Sequence, residues 1–231
     1  MTRKAKRQRG ISMFIVLVMV LLSSLLVIWA SRTALFSEMI TGNDSDYQRA
    51  FEAAQAMVRD AEFDIMGTLA DGKTECRSGA AYVGCRELAG GVFFPVDEGD
   101  FQRLQETLRA AKDSCVNGIC LFNDGKFLNS KADLEAMQDV AATYGAFTGA
   151  KATAASNPLL VTGSGQAPRA WYWVEVLPYD IGAATAAGPA QRFAPDAGSP
   201  YVFRITAIAK GLKPNSLAVV QTVFVRKRMD S

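Results

Sequence analysis

Four cysteines are the residues whose type and spacing come closest to chemistry. Cys76, Cys85, Cys115 and Cys120 lie in two close pairs, all in the polar part of the chain. An even number in close pairs suits disulfides in an oxidising compartment. Thiolate metal ligation competes with that reading, but both spacings are wider than C-x2-C and the chain has no histidine to complete a mixed site. Four cysteines allow three connectivities. Closing short loops loses the least chain entropy, which favours Cys76–Cys85 with Cys115–Cys120 and leaves the other two pairings open.

Other candidate chemistry is thin. The absence of histidine removes imidazole acid–base catalysis and every triad built on it. Asp97, Glu98 and Asp100 around Gly99, and Asn123-Asp124 before Gly125, offer oxygen ligands of the kind that hold calcium. No EF-hand pattern accompanies them, and solvated turns explain both clusters better. Thr162-Gly163-Ser164-Gly165 is glycine-rich but lacks the lysine of a phosphate loop. Trp171 and Trp173 alternate with Tyr172, which reads as core packed against a long helix before it reads as a sugar platform. The expectation is a protein with no catalytic residues, no metal and no cofactor.

The N-terminus carries the strongest signal. Arg3, Lys4, Lys6, Arg7 and Arg9 stand in the first ten residues without an acid; beyond them 20 basic residues face 23 acidic ones. No later basic stripe interleaves with aromatics, so no direct nucleic-acid contact is expected. Residues 11–30 contain no charge, Pro or Gly. At 1.5 Å per residue they span about 30 Å, the thickness of a bilayer core. The cations in front keep the N-terminus cytoplasmic, with Trp29 at the far interface. Three readings fit: a cleaved secretory signal, a plain anchor, or cleavage before the apolar run. The first needs a shorter apolar core and a small-residue site, and Trp29-Ala30-Ser31 is a poor one.

The elements that follow are an amphipathic helix, then an α+β region. Phe51, Ala54, Met57, Val58, Ala61 and Ile65 recur at helical spacing, with Glu52, Gln55, Arg59, Asp60 and Glu62 assigned to the opposite side. Thr41-Gly42-Asn43-Asp44-Ser45 interrupts with poor helix formers, either a weak solvated turn in a continuous helix or a hinge. Gly67 and Asp71-Gly72 end the helix. Residues 73–100 read as a Cys-closed loop with short extended pieces, Phe101 to Lys112 as a helix, Asn123 to Lys126 as a turn, Lys131 to Tyr144 as a short helix, and 145–169 as loop. Strands are predicted at Trp171 to Leu177, stopped by Pro178, at Tyr201 to Lys210 and at Ser216 to Arg226. Gly211-Leu212-Lys213-Pro214-Asn215 joins the last two, and Leu217, Val219, Gln221, Val223 and Val225 share one side. Residues 181–200 read as a long exposed connection. The fold class is α+β, a long N-terminal helix laid on a C-terminal antiparallel sheet. The divisions are 1–10, 11–30, 31–70 and 71–231.

Arg7-Gln8-Arg9-Gly10 before an apolar run resembles a prepilin junction of the type IV pilin family. Ser37 to Asn43, Ala50 to Ala56 and Asp60-Ala61-Glu62 resemble the N-terminal region of PilX-type minor pilins. Tyr201 to Ala207 and Val219 to Thr222 resemble the end of that family more loosely, as does the Cys115 to Cys120 loop; residues 70–200 otherwise show no likeness.

The resemblance implies that a membrane aspartic peptidase cuts after Gly10 and methylates Ile11, so that residues 1–10 are a leader. Most pilins carry Glu at the fifth mature position, where it meets the amine of the neighbouring subunit. Here Ile15 stands there. A buried carboxylate is costly unless paired, so a subunit without it needs no partner above and suits the filament tip. The implied role is a non-catalytic minor pilin that helps prime or cap a pilus, serving twitching motility and adhesion. The implied partners are other minor pilins, the major pilin, the prepilin peptidase, the assembly platform, a tip adhesin and the inner membrane, with the C-terminal domain in the periplasm. A type II secretion pseudopilin and an uncleaved, single-span anchored binding module are the alternatives.

Overall fold

The structure, a computed structural model, describes residues 11–76, 85–86, 92–121, 130–153, 156–161, 165, 167–180, 182, 194–196 and 198–227. Helix α1 runs over Ile11–Met66 and is shared between two compact units, Met1–Ser45 and Asp46–Ser231.

The described part of the first unit is helix alone. None of its residues is buried, and Leu21, Leu22, Leu25, Leu26 and Trp29 are all more than half exposed. The polar side chains in it are satisfied locally: the Ser23 and Ser24 hydroxyls donate to Met19 O (2.6 Å) and Val20 O (2.7 Å). Each closes onto the preceding turn, which is how a hydroxyl avoids needing water. Residues 41–45 remain helical despite Gly42 and Asn43. They lie inside a continuous helix.

The second unit holds the rest of α1, helices α2 (Glu98–Ala110) and α3 (Lys131–Gln138), and strands β1 (Cys115–Val116), β2 (Ile119–Cys120), β3 (Ala142–Thr143), β4 (Ala170–Pro178), β5 (Tyr201–Lys210) and β6 (Leu217–Phe224). Gly67, at φ +69, lets the chain turn off the end of α1 in a conformation that costs other residues more. The strands make one sheet in the order β1-β2-β4-β5-β6, with β3 also on β4. The long strands pair antiparallel, as expected: Trp173 opposes Thr206, and Thr206 opposes Gln221. The sheet is mixed, however, because β2 lies parallel to β4, Ile119 beside Val174. The chain returns from β2 through α3 and β3 before entering β4, and that long connection permits a parallel neighbour.

One core cluster joins α1, α2 and one sheet face: Ala53, Met57 and Ile65, Phe101, Leu104 and Leu108, and Tyr172, Val174, Phe203, Ile205 and Ala207. Helix α2 begins three residues ahead of Phe101 because Asp97 caps it, accepting the Asp100 N–H at 2.8 Å. The helix expected over 131–144 is shorter. It ends at Gln138, and Ala142–Thr143 pairs with Tyr172 and Trp171 instead. Ladder bonds on β4 outweigh the weak helix preference of Val140 and Thr143. In β6 the row Leu217, Val219, Gln221, Val223 does share a side, and it is the exposed one; Ala218 and its alternates face inward.

The indoles are a further correction. Trp171 and Trp173 do not pack against α1. They cluster with Cys115, Cys120, Leu134, Met137 and Ile208 in a second, smaller core. Tyr172, between them, turns toward α1, as period-two alternation requires. The Trp173 Nε1–H donates to Met137 O (3.0 Å). The Asn123 to Lys126 turn and nearly all of 181–193 lie outside the described residues.

Candidate functional site

Two features of α1 stand out: an apolar surface in the first unit and a row of buried acids in the second. Over residues 11–31 the helix carries no ionisable side chain, and it is long and apolar enough to cross a membrane. Ile15 is half exposed on this surface, with Ile11 one turn before it. Gly10 lies outside the described residues.

In the second unit three aspartates of α1 point inward: Asp46, Asp60 and Asp64 are each at most 5% exposed. Asp46 holds the β5–β6 hairpin, accepting the Leu212 N–H (2.9 Å) and Lys213 N–H (3.0 Å). Burial acts to raise its pKa, but those two N–H groups, Ser216 and Arg49 outweigh it and leave the carboxyl below its ordinary range. Gly211 leaves room for this approach, since a Cβ there would meet the Asp46 carboxylate and the Ser216 side chain.

In the last two turns of the helix, Asp60 and Asp64 form the densest polar cluster. Asp60 accepts the Gly145 N–H (2.8 Å) and the Thr148 hydroxyl, fixing the turn at 144–149 to α1. Burial pushes its carboxyl up to about 6 against those two donors, and nearby Asp64 adds to the rise. Asp64 accepts from Tyr172 Oη (2.7 Å) and from Arg86 Nε (2.9 Å) and Nη2, a two-pronged ion pair. Arg86 also donates to Asn117 O (3.0 Å) and stacks over Phe147, 3.8 Å from the ring centroid. Burial alone would lower the Arg86 pKa, yet attraction to Asp64 holds it above its ordinary value. Burial, then the Asp64 charge, drives the Tyr172 hydroxyl well above the usual phenol range. A second ion pair crosses the sheet, where half-buried Arg204 donates from Nε to the buried Glu175 Oε2 (2.6 Å).

Asp60 was assigned by the sequence to the polar side of α1; the structure buries it. The missed signal is spacing. Asp46, Ala50, Ala53, Met57, Asp60 and Asp64 step by four and three residues along one face. A hydrophobicity pattern discards its charged members.

Of the acids considered for calcium, Asp97 caps α2, Glu98 accepts from Tyr201 Oη (3.1 Å) and Asp100 pairs with Arg103, while Asp124 lies outside the described residues. Among the described residues no group of three or more His, Cys, Asp or Glu side chains is placed to hold a metal. A cavity of about 590 Å³ lies near the end of α1, lined in part by Asp64, Arg86, Phe94, Asp100, Arg103 and Arg226. Its charges face one another or the backbone: Arg226 donates to Pro95 O (2.6 Å) and Ile65 O (3.4 Å), a cation at the negative end of the helix. The structure joins Cys76 to Cys85 and Cys115 to Cys120.

A helix apolar and exposed in its first half, packed in its second half on a sheet of an α+β unit, is the architecture of a pilin-like protein. Residues 9–59 match the PilX N-terminal family, and residues 100–226 match the type IV pilus assembly protein PilX C-terminal family. The chain belongs to the PilX family of type IV pilus assembly proteins, which makes it a minor pilin by family. Comparison with curated proteins and with solved structures gives no match. The C-terminal match takes in α2, α3 and β1 to β4, where the sequence alone showed likeness only in the Cys115 to Cys120 loop.

Proposed function

We propose that the chain is made as a precursor, cut after Gly10 and methylated at Ile11, and stored in the inner membrane with its second unit in the periplasm. From there it joins other minor pilins on the assembly platform and primes or caps a pilus built of major pilin. It does no catalysis. Twitching motility and adhesion follow from the filament.

The observation that carries this reading is an exposed, charge-free helical surface directly after Arg9-Gly10, in a chain of the PilX family. Such a surface is costly in water and favoured in a bilayer or among other apolar helices. Ile15 supports a tip position. With no carboxylate there, the subunit brings no buried charge that a neighbour must neutralise.

The deciding experiment is the intact mass of the protein from membranes of cells with and without prepilin peptidase. A form beginning at methylated Ile11, only when the peptidase is present, supports the reading. An unprocessed chain in both strains rejects it in favour of a plain membrane anchor. Position is a separate test: a labelled subunit found along filament shafts, and not at their ends, removes the tip assignment.

A further inference from the structure

Strand β6 closes the sheet at one side, and among the described residues no strand pairs with its outer edge. The phase of its ladder fixes which main-chain groups are left there. At the turn end of the hairpin Gly211 N–H donates to Ser216 O (2.8 Å). Alternation then makes Ala209–Ala218, Ala207–Val220 and Ile205–Thr222 the hydrogen-bonded pairs. Lys210 agrees, its N–H turning the other way to Arg169 O (2.8 Å), beside β4. Leu217, Val219, Gln221 and Val223 therefore aim N–H and C=O away from β5. Their side chains share the exposed face: Leu217 is 38%, Val219 43% and Val223 59% exposed, while Gln221 donates back to Thr206 Oγ1 (2.9 Å). Edges of this kind are usually blunted by a proline, a charge or a bulge. Leu217–Phe224 has neither proline nor charge, and it pairs with β5 without a break in register.

We propose that this edge is a docking strip for an extended segment of another protein, apolar in the middle and acidic at both ends. The four outward-facing residues span about 20 Å at about 3.4 Å per residue, room for a strand of roughly seven residues. Such a strand takes its hydrogen bonds from the row and packs alternate side chains beside Leu217, Val219 and Val223. Charge selects the partner. From 197 to 229 the charged residues are Arg204, Lys210, Lys213, Arg226, Lys227 and Arg228, all cations. Glu175 pairs with Arg204, and Asp46 meets the hairpin through the Leu212 and Lys213 N–H groups. Lys213 lies in the turn before the strip and Lys227 past its far end, both exposed. A second copy fits poorly, because two β6 edges paired in either direction set cations against cations. The strip lies wholly in the second unit, so it stands apart from processing at Gly10 and from tip position.

The probe is a capped peptide with valine and threonine alternating in the middle and a pair of glutamates at each end, added to the full-length chain in detergent. Binding is read by titration and by residue-resolved amide exchange. In the free protein Leu217, Val219, Gln221 and Val223 should exchange faster than Ala218, Val220 and Thr222. The peptide should slow the first set to the rate of the second. The same peptide with lysine for glutamate should bind roughly tenfold more weakly. Methylating the valine nitrogens, the donors that face the row, should abolish binding. Charge reversal by Lys213→Glu with Lys227→Glu should exchange the preference between the glutamate and lysine peptides. The proposal is overturned if the glutamate peptide leaves the row unprotected, if the methylated peptide binds as well, or if both charge versions bind alike. Protection of the row in the free protein that dilution removes would give the edge to a second copy, which also overturns it. If the charge-reversed variant fails to fold, the three peptides on the parent chain decide.

Discussion

Between Ile11 and Ser45 helix α1 buries no side chain, whereas between Asp46 and Met66 it buries nine: four alanines, three aspartates, Met57 and Ile65. The more hydrophobic half is the one in which no described residue is buried. The half that packs uses small residues for close approach and carboxylates for specific anchoring. Greasiness along this helix therefore does not track burial, while the internal fit is written in alanine and aspartate. A buried acid costs more than an apolar residue unless its donors are in place, so each one fixes a particular loop or hairpin to α1.

The sharpest way to break this contrast is to strand a charge. Arg86→Met leaves Asp64 buried without its cation and should cost about 3–5 kcal/mol in urea unfolding of the second unit. A loss under 1 kcal/mol would mean that the charge is not what anchors α1. The mirror experiment is Leu22→Arg. It should disfavour membrane insertion by about 3 kcal/mol, read as protein lost from the membrane fraction, while the unfolding midpoint of the second unit stays put.

Proton linkage sharpens the comparison further. The folded pKa of Asp60, about 6, lies above the ordinary aspartate value of 3.8. The folded state therefore binds this proton more tightly than the unfolded one. Its contribution is fully present below pH 4 and is lost as pH rises through 6, about 3 kcal/mol in all. Asp60→Asn should flatten that part of the stability profile, and a profile with the same slope in the variant would assign it to another group. Smaller still is Gly211→Ala, which crowds Asp46 and Ser216 and should cost about 1–3 kcal/mol in thermal unfolding. Least of all, amide exchange at Gly42 should exceed that at Ala54, with Gly42→Ala gaining up to about 1 kcal/mol of helix stability. Equal protection at both positions would make the weak stretch as firm as the packed one.

Much of this fold is legible in the sequence because its signals are local. An unbroken apolar run means an exposed or membrane helix, and alternation marks β4, β5 and β6. What escapes is decided at a distance. Asp60 looks like solvent-side polarity until Thr148 and Gly145, more than eighty residues away, arrive to bond it. Residues 139–144 look helical until β4 offers a ladder. The indoles of β4 are plainly core, but which layer covers them depends on where α3 and the Cys115–Cys120 hairpin fold. Spacing could have exposed the aspartates; nothing local could have named their partners.

The placement of the three tryptophans gives the molecule a built-in optical reporter. Trp29 is 73% exposed in the charge-free stretch, while Trp171 and Trp173 are buried beside the Cys115–Cys120 disulfide. Disulfides quench nearby indole emission, so the folded second unit should be dim and should brighten when it unfolds. Trp29, far from either sulfur pair in sequence, should respond mainly to the polarity of its surroundings, shifting blue in lipid. Emission intensity would then follow one half of α1 and emission wavelength the other, in the same cuvette and without a label.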